Sequence, residues 1–148
     1  MNAVTPMSGL EQLRAVFDPD RPERRPGIGK TLGFDVVEIE EGRVVFGATP
    51  TEAVYNPIGT VHGGFAATLL DSAVGCAVHS VLPAGKGYTT LELKVAYHRP
   101  MTKHTGPVQA EGKVVQAGRR AAFAEGRITD AKGRVYATAT STLLVFDQ

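Results

Sequence analysis

The sequence predicts an α+β fold in which one curved antiparallel sheet wraps a single long helix. Three observations predict it. Six strand-like runs rich in β-branched and aromatic residues fill most of the chain. One segment, from about His62 to Leu82, is too long for a strand and is built from helix formers and small residues. That helix follows the second strand-like run, and the last three strands are joined by short turns, the order of an antiparallel sheet rather than of repeated βαβ units.

Each element has its own signal. Apolar residues at 10, 13, 16 and 17 within Ser8–Phe17 suit a short helix with Ser8 as N-cap, and Asp18-Pro19 ends it. The charged, proline-rich stretch Asp20–Gly27 reads as a solvated surface loop. Residues 1–30 therefore read as an N-terminal helix and arm, and 31–148 as the main domain. Leu32–Glu40 and Arg43–Thr49 are strands joined by a Glu41-Gly42 hairpin, and turn formers occupy Tyr55–Thr60. Apolar and small residues lie nearly all round the long helix, which should be buried on most sides until Pro83 stops it. Tyr88–His98, Val108–Gln116, Arg120–Thr129 and Arg134–Phe146 complete the sheet. Their hairpin turns are Ala117-Gly118-Arg119 and Asp130–Gly133, and a longer connection spans Arg99–Pro107.

Composition narrows the function. With 148 residues the chain fits one domain, and 43% apolar with 21% charged residues is an ordinary globular balance. A formal net charge of +1 gives no electrostatic reason to expect nucleic acid or an anionic membrane as partner. Cys76 stands alone, which excludes an intramolecular disulfide and a multi-cysteine zinc site. The most apolar stretch, Phe65–Leu82, is interrupted by Asp71, Ser72, His79 and Ser80, so no membrane span of about 18 apolar residues is expected. Met1–Pro6 lacks the basic start and apolar run of a secretory signal. A cytoplasmic protein is expected.

The residue most out of place is Asp71, a carboxylate midway along a greasy helix. Burial without hydrogen bonds costs a carboxylate several kcal/mol, so it needs a partner or a function, and acids in such places serve as general bases. At the start of the same helix stands His62-Gly63-Gly64, preceded by Asn56. A helix N-terminus presents unpaired N–H groups and a positive dipole end, which suits a carbonyl oxygen gaining charge. Gly63 and Asp71 are eight residues apart, which corresponds to about 12 Å of helix. A carbonyl must lie about 3 Å from its donor, with a base or its water equally close. One helix cannot meet both demands. Two antiparallel copies can, with Gly63 of one subunit facing Asp71 of the other, so cooperation between these residues requires at least a dimer.

Asn56-Pro57-Ile58-Gly59-Thr60-Val61-His62-Gly63-Gly64, then Asp71, then Tyr88-Thr89-Thr90-Leu91-Glu92-Leu93-Lys94-Val95-Ala96-Tyr97-His98-Arg99-Pro100 resembles the hotdog-fold thioesterases of the PaaI-like, phenylacetate-degradation type. The resemblance runs from about Leu32 to Phe146. It implies a sheet wrapped round a central helix, subunits paired with antiparallel helices, shared active sites, and often a tetramer made of two dimers. It also implies roles. Asp71 would activate water or attack the thioester, and Thr90 would hold that water. Across the interface the Gly63 N–H would polarise the carbonyl, Asn56 and His62 would position that carbonyl and order the loop, and Gly64 would bind substrate. Arg99, Arg119 and Arg120 resemble positions that meet the phosphates of coenzyme A. A thioester has an electrophilic carbonyl and a good leaving group, so neither metal nor cofactor is expected beyond the acyl-coenzyme A substrate.

Other readings have less behind them. His79, His98 and His104 lack metal-ligand spacing, and Cys76 reads as core packing. Ser72 and Ser80 lack the glycine-flanked elbow of a serine hydrolase. A hydratase would need a differently placed His–carboxylate pair. A non-catalytic acyl-coenzyme A carrier or sensor would leave the pairing of Asp71 with the glycine turn without a purpose.

Overall fold

The computed structural model describes residues 5–25 and 27–148; Met1–Val4, part of the stretch read for a secretory signal, and Pro26 of the expected loop lie outside them. Helix α1 (Gly9–Val16) opens with a capping box, in which the Ser8 N–H donates to the Glu11 carboxylate at 2.7 Å and Glu11 N–H to Ser8 Oγ at 3.4 Å. Two departures from expectation follow. The loop expected over 20–27 contains a 3₁₀ turn at Pro22–Arg24, and helix α2 spans Gly27–Leu32, so the first strand begins two residues late. Helix α2 ends at Gly33, whose φ of +77° closes it by returning its N–H to the Gly29 carbonyl at 2.8 Å.

Strands β1 (Phe34–Glu40), β2 (Arg43–Ala48), β3 (Lys86–Tyr97), β4 (Val108–Ala117), β5 (Ala121–Asp130) and β6 (Val135–Asp147) form one sheet in the order β1-β2-β4-β5-β6-β3. Every neighbouring pair is antiparallel. Helix α3 (Gly63–Ser80) lies across the sheet and buries Leu69, Leu70, Ala73, Val74, Ala77 and Val78 completely. It meets Val44, Phe46, Val108, Ala110, Ile128 and Leu143 there. Contact is closest over β4: a Cβ on Gly112 would fall 2.3 Å from the Ala73 backbone, so only glycine lets α3 seat this low. This is the hotdog fold, with β3 and β1 at the two sheet edges.

The helix is buried on most sides, as its composition predicts, except along one stripe. Ala67, Thr68, Asp71, Ser72 and Cys76 are half-buried, a stripe at helical spacing that the sheet leaves uncovered. Small residues on that stripe look the same in sequence as residues packed in a core. At its far end, α1 closes over α3. Gly9 N–H donates to Leu82 O at 2.9 Å, Gln12 Oε1 and His79 Nε2 lie 3.0 Å apart, and Leu13 enters the main core. Among the described residues no helix is long and apolar enough to cross a membrane.

Candidate active site

The first half of the site is the entry to α3. Asn56 organises the preceding loop: its Oδ1 accepts from the Ile58 and Thr60 N–H groups at 3.1 and 3.2 Å, and its Nδ2 donates to Thr60 Oγ1 at 2.9 Å. Both ends of the amide are used within the loop. His62 is the N-cap residue, and its Nδ1 accepts the Gly64 N–H at 2.8 Å, which leaves the ring proton of neutral His62 on Nε2. The Phe65 N–H donates to His62 O at 3.0 Å. Gly63 is the exception in this first turn: its N–H finds no acceptor among the described residues. Its carbonyl, by contrast, accepts from the Tyr97 hydroxyl at 2.7 Å.

The second half lies two turns along the helix. Thr90 Oγ1, on β3, donates to Asp71 Oδ1 at 2.9 Å. No ion pair among the described residues involves Asp71. A register shift between Thr90 and Glu92 interrupts the β3–β6 ladder just there, the kind of irregularity that re-aims side chains beside functional sites. The Asp71 charge is also felt nearby. Burial, reinforced by that carboxylate, pushes the Cys76 thiol up to about 12. The Tyr88 hydroxyl is raised as well, by burial first and then by Cys76 and Asp71. Cys76 is therefore a protonated packing residue rather than a nucleophile.

The structure brings Asp71 and Thr90 together, and gathers Asn56, His62, Gly63 and Gly64 into one turn, but it keeps the two groups apart along one helix. The arginines divide too. Arg99 sits where α3 begins, its guanidinium 5.9 Å from the centre of the Tyr136 ring. Arg119 and Arg120 are exposed at the β4–β5 hairpin, where Arg120 O accepts from Val145 N–H near the opposite end of β6. One chain does not unite the three. Two cavities flank the helix. One of about 270 Å³ is lined by His62, Gly63, Tyr97, Arg99 and Tyr136. The other, about 310 Å³ and mostly apolar, lies between the arm and α3 and is lined by Phe17, Ile28, Phe34, Phe46, Ser72 and Cys76. Sequence reasoning assigned no role to Tyr97. Among the described residues no group of three or more His, Cys, Asp or Glu is placed to hold a metal ion.

The profile of the thioesterase superfamily matches residues 58–137, the stretch that carries the glycine turn, Asp71 and Thr90. The chain belongs to the thioesterase superfamily. It is a thioester hydrolase on the hotdog fold. It is 27% identical over 120 residues to the 1,4-dihydroxy-2-naphthoyl-CoA hydrolase of Listeria monocytogenes, covering 80% of this chain and 95% of that one. The Escherichia coli PaaI protein of the phenylacetic acid degradation operon superposes with a TM-score of 0.77 at 21% identity, covering 93% of each chain, which shows the shared fold. A Streptococcus mutans protein bound to acetyl-CoA superposes with a TM-score of 0.70 at 27% identity, over 78% of this chain and 90% of that one.

Proposed function

We propose that this thioesterase hydrolyses acyl-coenzyme A to the free acid and coenzyme A at sites shared between two copies of the chain. The observation that carries this reading is the state of the two polar groups on α3. Asp71 is fixed by one hydrogen bond from Thr90 and joins no ion pair, while the Gly63 N–H has no acceptor among the described residues. They stand about 12 Å apart along one rigid helix, too far to act on one carbonyl. Antiparallel pairing through the uncovered stripe of α3 brings Gly63 of one copy towards Asp71 of the other. The same pairing carries Arg119 and Arg120 of one chain towards the Arg99 end of its partner, where they meet the coenzyme A phosphates.

In this site the Gly63 N–H polarises the thioester carbonyl, and Asp71 either takes a proton from the water that attacks the carbonyl carbon or attacks it itself, giving an acyl-aspartyl anhydride that water then hydrolyses to the free acid. The thiolate of coenzyme A leaves and is protonated by solvent. Thr90 holds the acting oxygen in place, while His62, Asn56 and Gly64 keep the glycine turn in shape. The acyl group enters the apolar cavity beside Ser72, the residue after Asp71, so the N-terminal arm contributes to substrate choice. The acyl-coenzyme A relatives support the coenzyme A assignment. The chemistry asks for no metal or cofactor.

The test is thiol release from a panel of acyl-coenzyme A esters, alkyl to aryl, read with a colorimetric thiol reagent alongside sedimentation. The reading requires turnover that depends on Asp71 and an assembly of at least two chains. A fully active monomer would refute it.

A further inference from the structure

The chemistry of the glycine turn depends on the direction of one N–H, and the structure shows what holds it. The peptide linking Gly63 to Gly64 is bonded by side chains at both ends. Its carbonyl oxygen accepts the Tyr97 hydroxyl at 2.7 Å, and its N–H donates to His62 Nδ1 at 2.8 Å. Tyr97 is the last residue of β3, so it reaches this peptide from a different element, 34 positions along the chain. The ring comes close enough to explain the residue it touches: a Cβ on Gly63 would lie 3.0 Å from the Tyr97 oxygen and 3.1 Å from the carbon bearing it.

Glycine has more intrinsic backbone freedom than any other residue, and two stand together at the start of α3. A peptide plane gripped at both ends cannot rotate, so ψ of Gly63 and φ of Gly64 are fixed together. The Gly63 N–H itself belongs to the preceding His62–Gly63 peptide, whose carbonyl accepts the Phe65 N–H at 3.0 Å; with the peptide planes on both sides of Gly63 held, its N–H keeps the outward direction that the helix end gives it. Donation to the carbonyl also polarises the same peptide, which strengthens the N–H bond to His62. Both hydrogen bonds thus support one another.

The geometry points to Tyr97 as a positioning residue that, with His62, locks the Gly63–Gly64 peptide so that the Gly63 N–H is aimed at the substrate carbonyl. The inference rests on the role proposed above for Gly63. Tyr97 does not itself touch the reacting atoms. Its contribution is preorganisation, which matters in the transition state and not in ground-state binding.

Tyr97→Phe keeps the ring and removes the hydroxyl. Loss of a whole oxyanion donor costs about 10²–10³ in rate, and loosening one should cost less, about tenfold in kcat, with KM nearly unchanged. Amide exchange at Gly63 and Gly64 should quicken while the melting temperature stays near that of the parent. His62→Ala and Tyr97→Phe act on one peptide, so their combined effect on kcat should fall short of the product of the single effects. Unchanged kcat in Tyr97→Phe, a rise in KM alone, or multiplicative effects in the double variant would each overturn the inference. Asp71→Asn run in parallel separates the two failures. If it is inactive while Tyr97→Phe matches the parent, only the positioning role falls; if it is fully active, the proposed site falls with it.

Discussion

The two ends of α3 use their polar groups in opposite ways. Towards its C-terminus the Ser80 and His79 side chains are engaged by the fold. Ser80 Oγ donates to Ala77 O at 2.6 Å and accepts the Gly42 N–H at 2.8 Å, His79 meets Gln12, and Leu82 O accepts from Gly9. Towards its N-terminus the Gly63 N–H is unpaired among the described residues, and the Asp71 carboxyl accepts a single hydroxyl, that of Thr90. Gly63 and Asp71 are half-buried, and a helix start ordinarily leaves N–H groups open; on the function proposed above, a substrate supplies their partners. Folding alone accounts for one end of the rod, and the proposed chemistry for the other.

Substitutions at the two ends should therefore separate activity from stability. Asp71→Asn should lower kcat by about 10³ or more, since it removes both the base and the charge, with a melting temperature close to the parent's; thiol release and thermal denaturation read the two effects. Thr90→Val should reduce kcat by about tenfold through loss of a charge-assisted hydrogen bond, and Thr90→Ser should recover most of it. At the opposite end, Ser80→Ala leaves the Gly42 N–H without its acceptor and should cost about 1–3 kcal/mol in urea unfolding, with kcat per folded molecule unchanged. If Ser80→Ala instead lowered kcat at intact stability, the contrast between the ends would collapse.

Smaller effects sharpen the same contrast. Burial holds the His79 imidazole below its ordinary value, so the folded chain resists its protonation. Its contribution to stability is present above the unfolded pKa of about 6.5 and is lost as pH falls through the lowered folded value. A melting-temperature profile across mildly acidic pH should show that loss, and His79→Gln should flatten it. Smallest of all, Cys76, with its thiol pushed up to about 12, should resist alkylation near pH 8. Rapid inactivation by a thiol reagent would contradict its placement as packing.

Much of this was legible before any coordinates. Alternating β-branched runs gave all six strands to within two residues, because each has one face on the helix and register leaves little freedom. Asp71 stood out because a lone acid among Leu69, Leu70 and Ala73 needs a reason to be there. Helix α2 did not, because its two glycines and the neighbouring prolines argue locally against a helix. Thr90 emerged only through family resemblance, since a threonine in a strand carries no mark of what it bonds. Tyr97 was quoted in the motif and given no task. A tyrosine closing a strand reads the same whether its hydroxyl faces water or a carbonyl from a distant loop, and only the fold joins the two.

The length of α3 has one more consequence. On the function proposed above, its two working groups stand too far apart to act on one carbonyl, so a correctly folded solitary chain is a finished object with no catalytic power. Turnover should then obey mass action, with dilution silencing the protein without unfolding it. Two differently crippled chains, one lacking the acid and one with a spoiled glycine turn, would restore one intact centre when mixed.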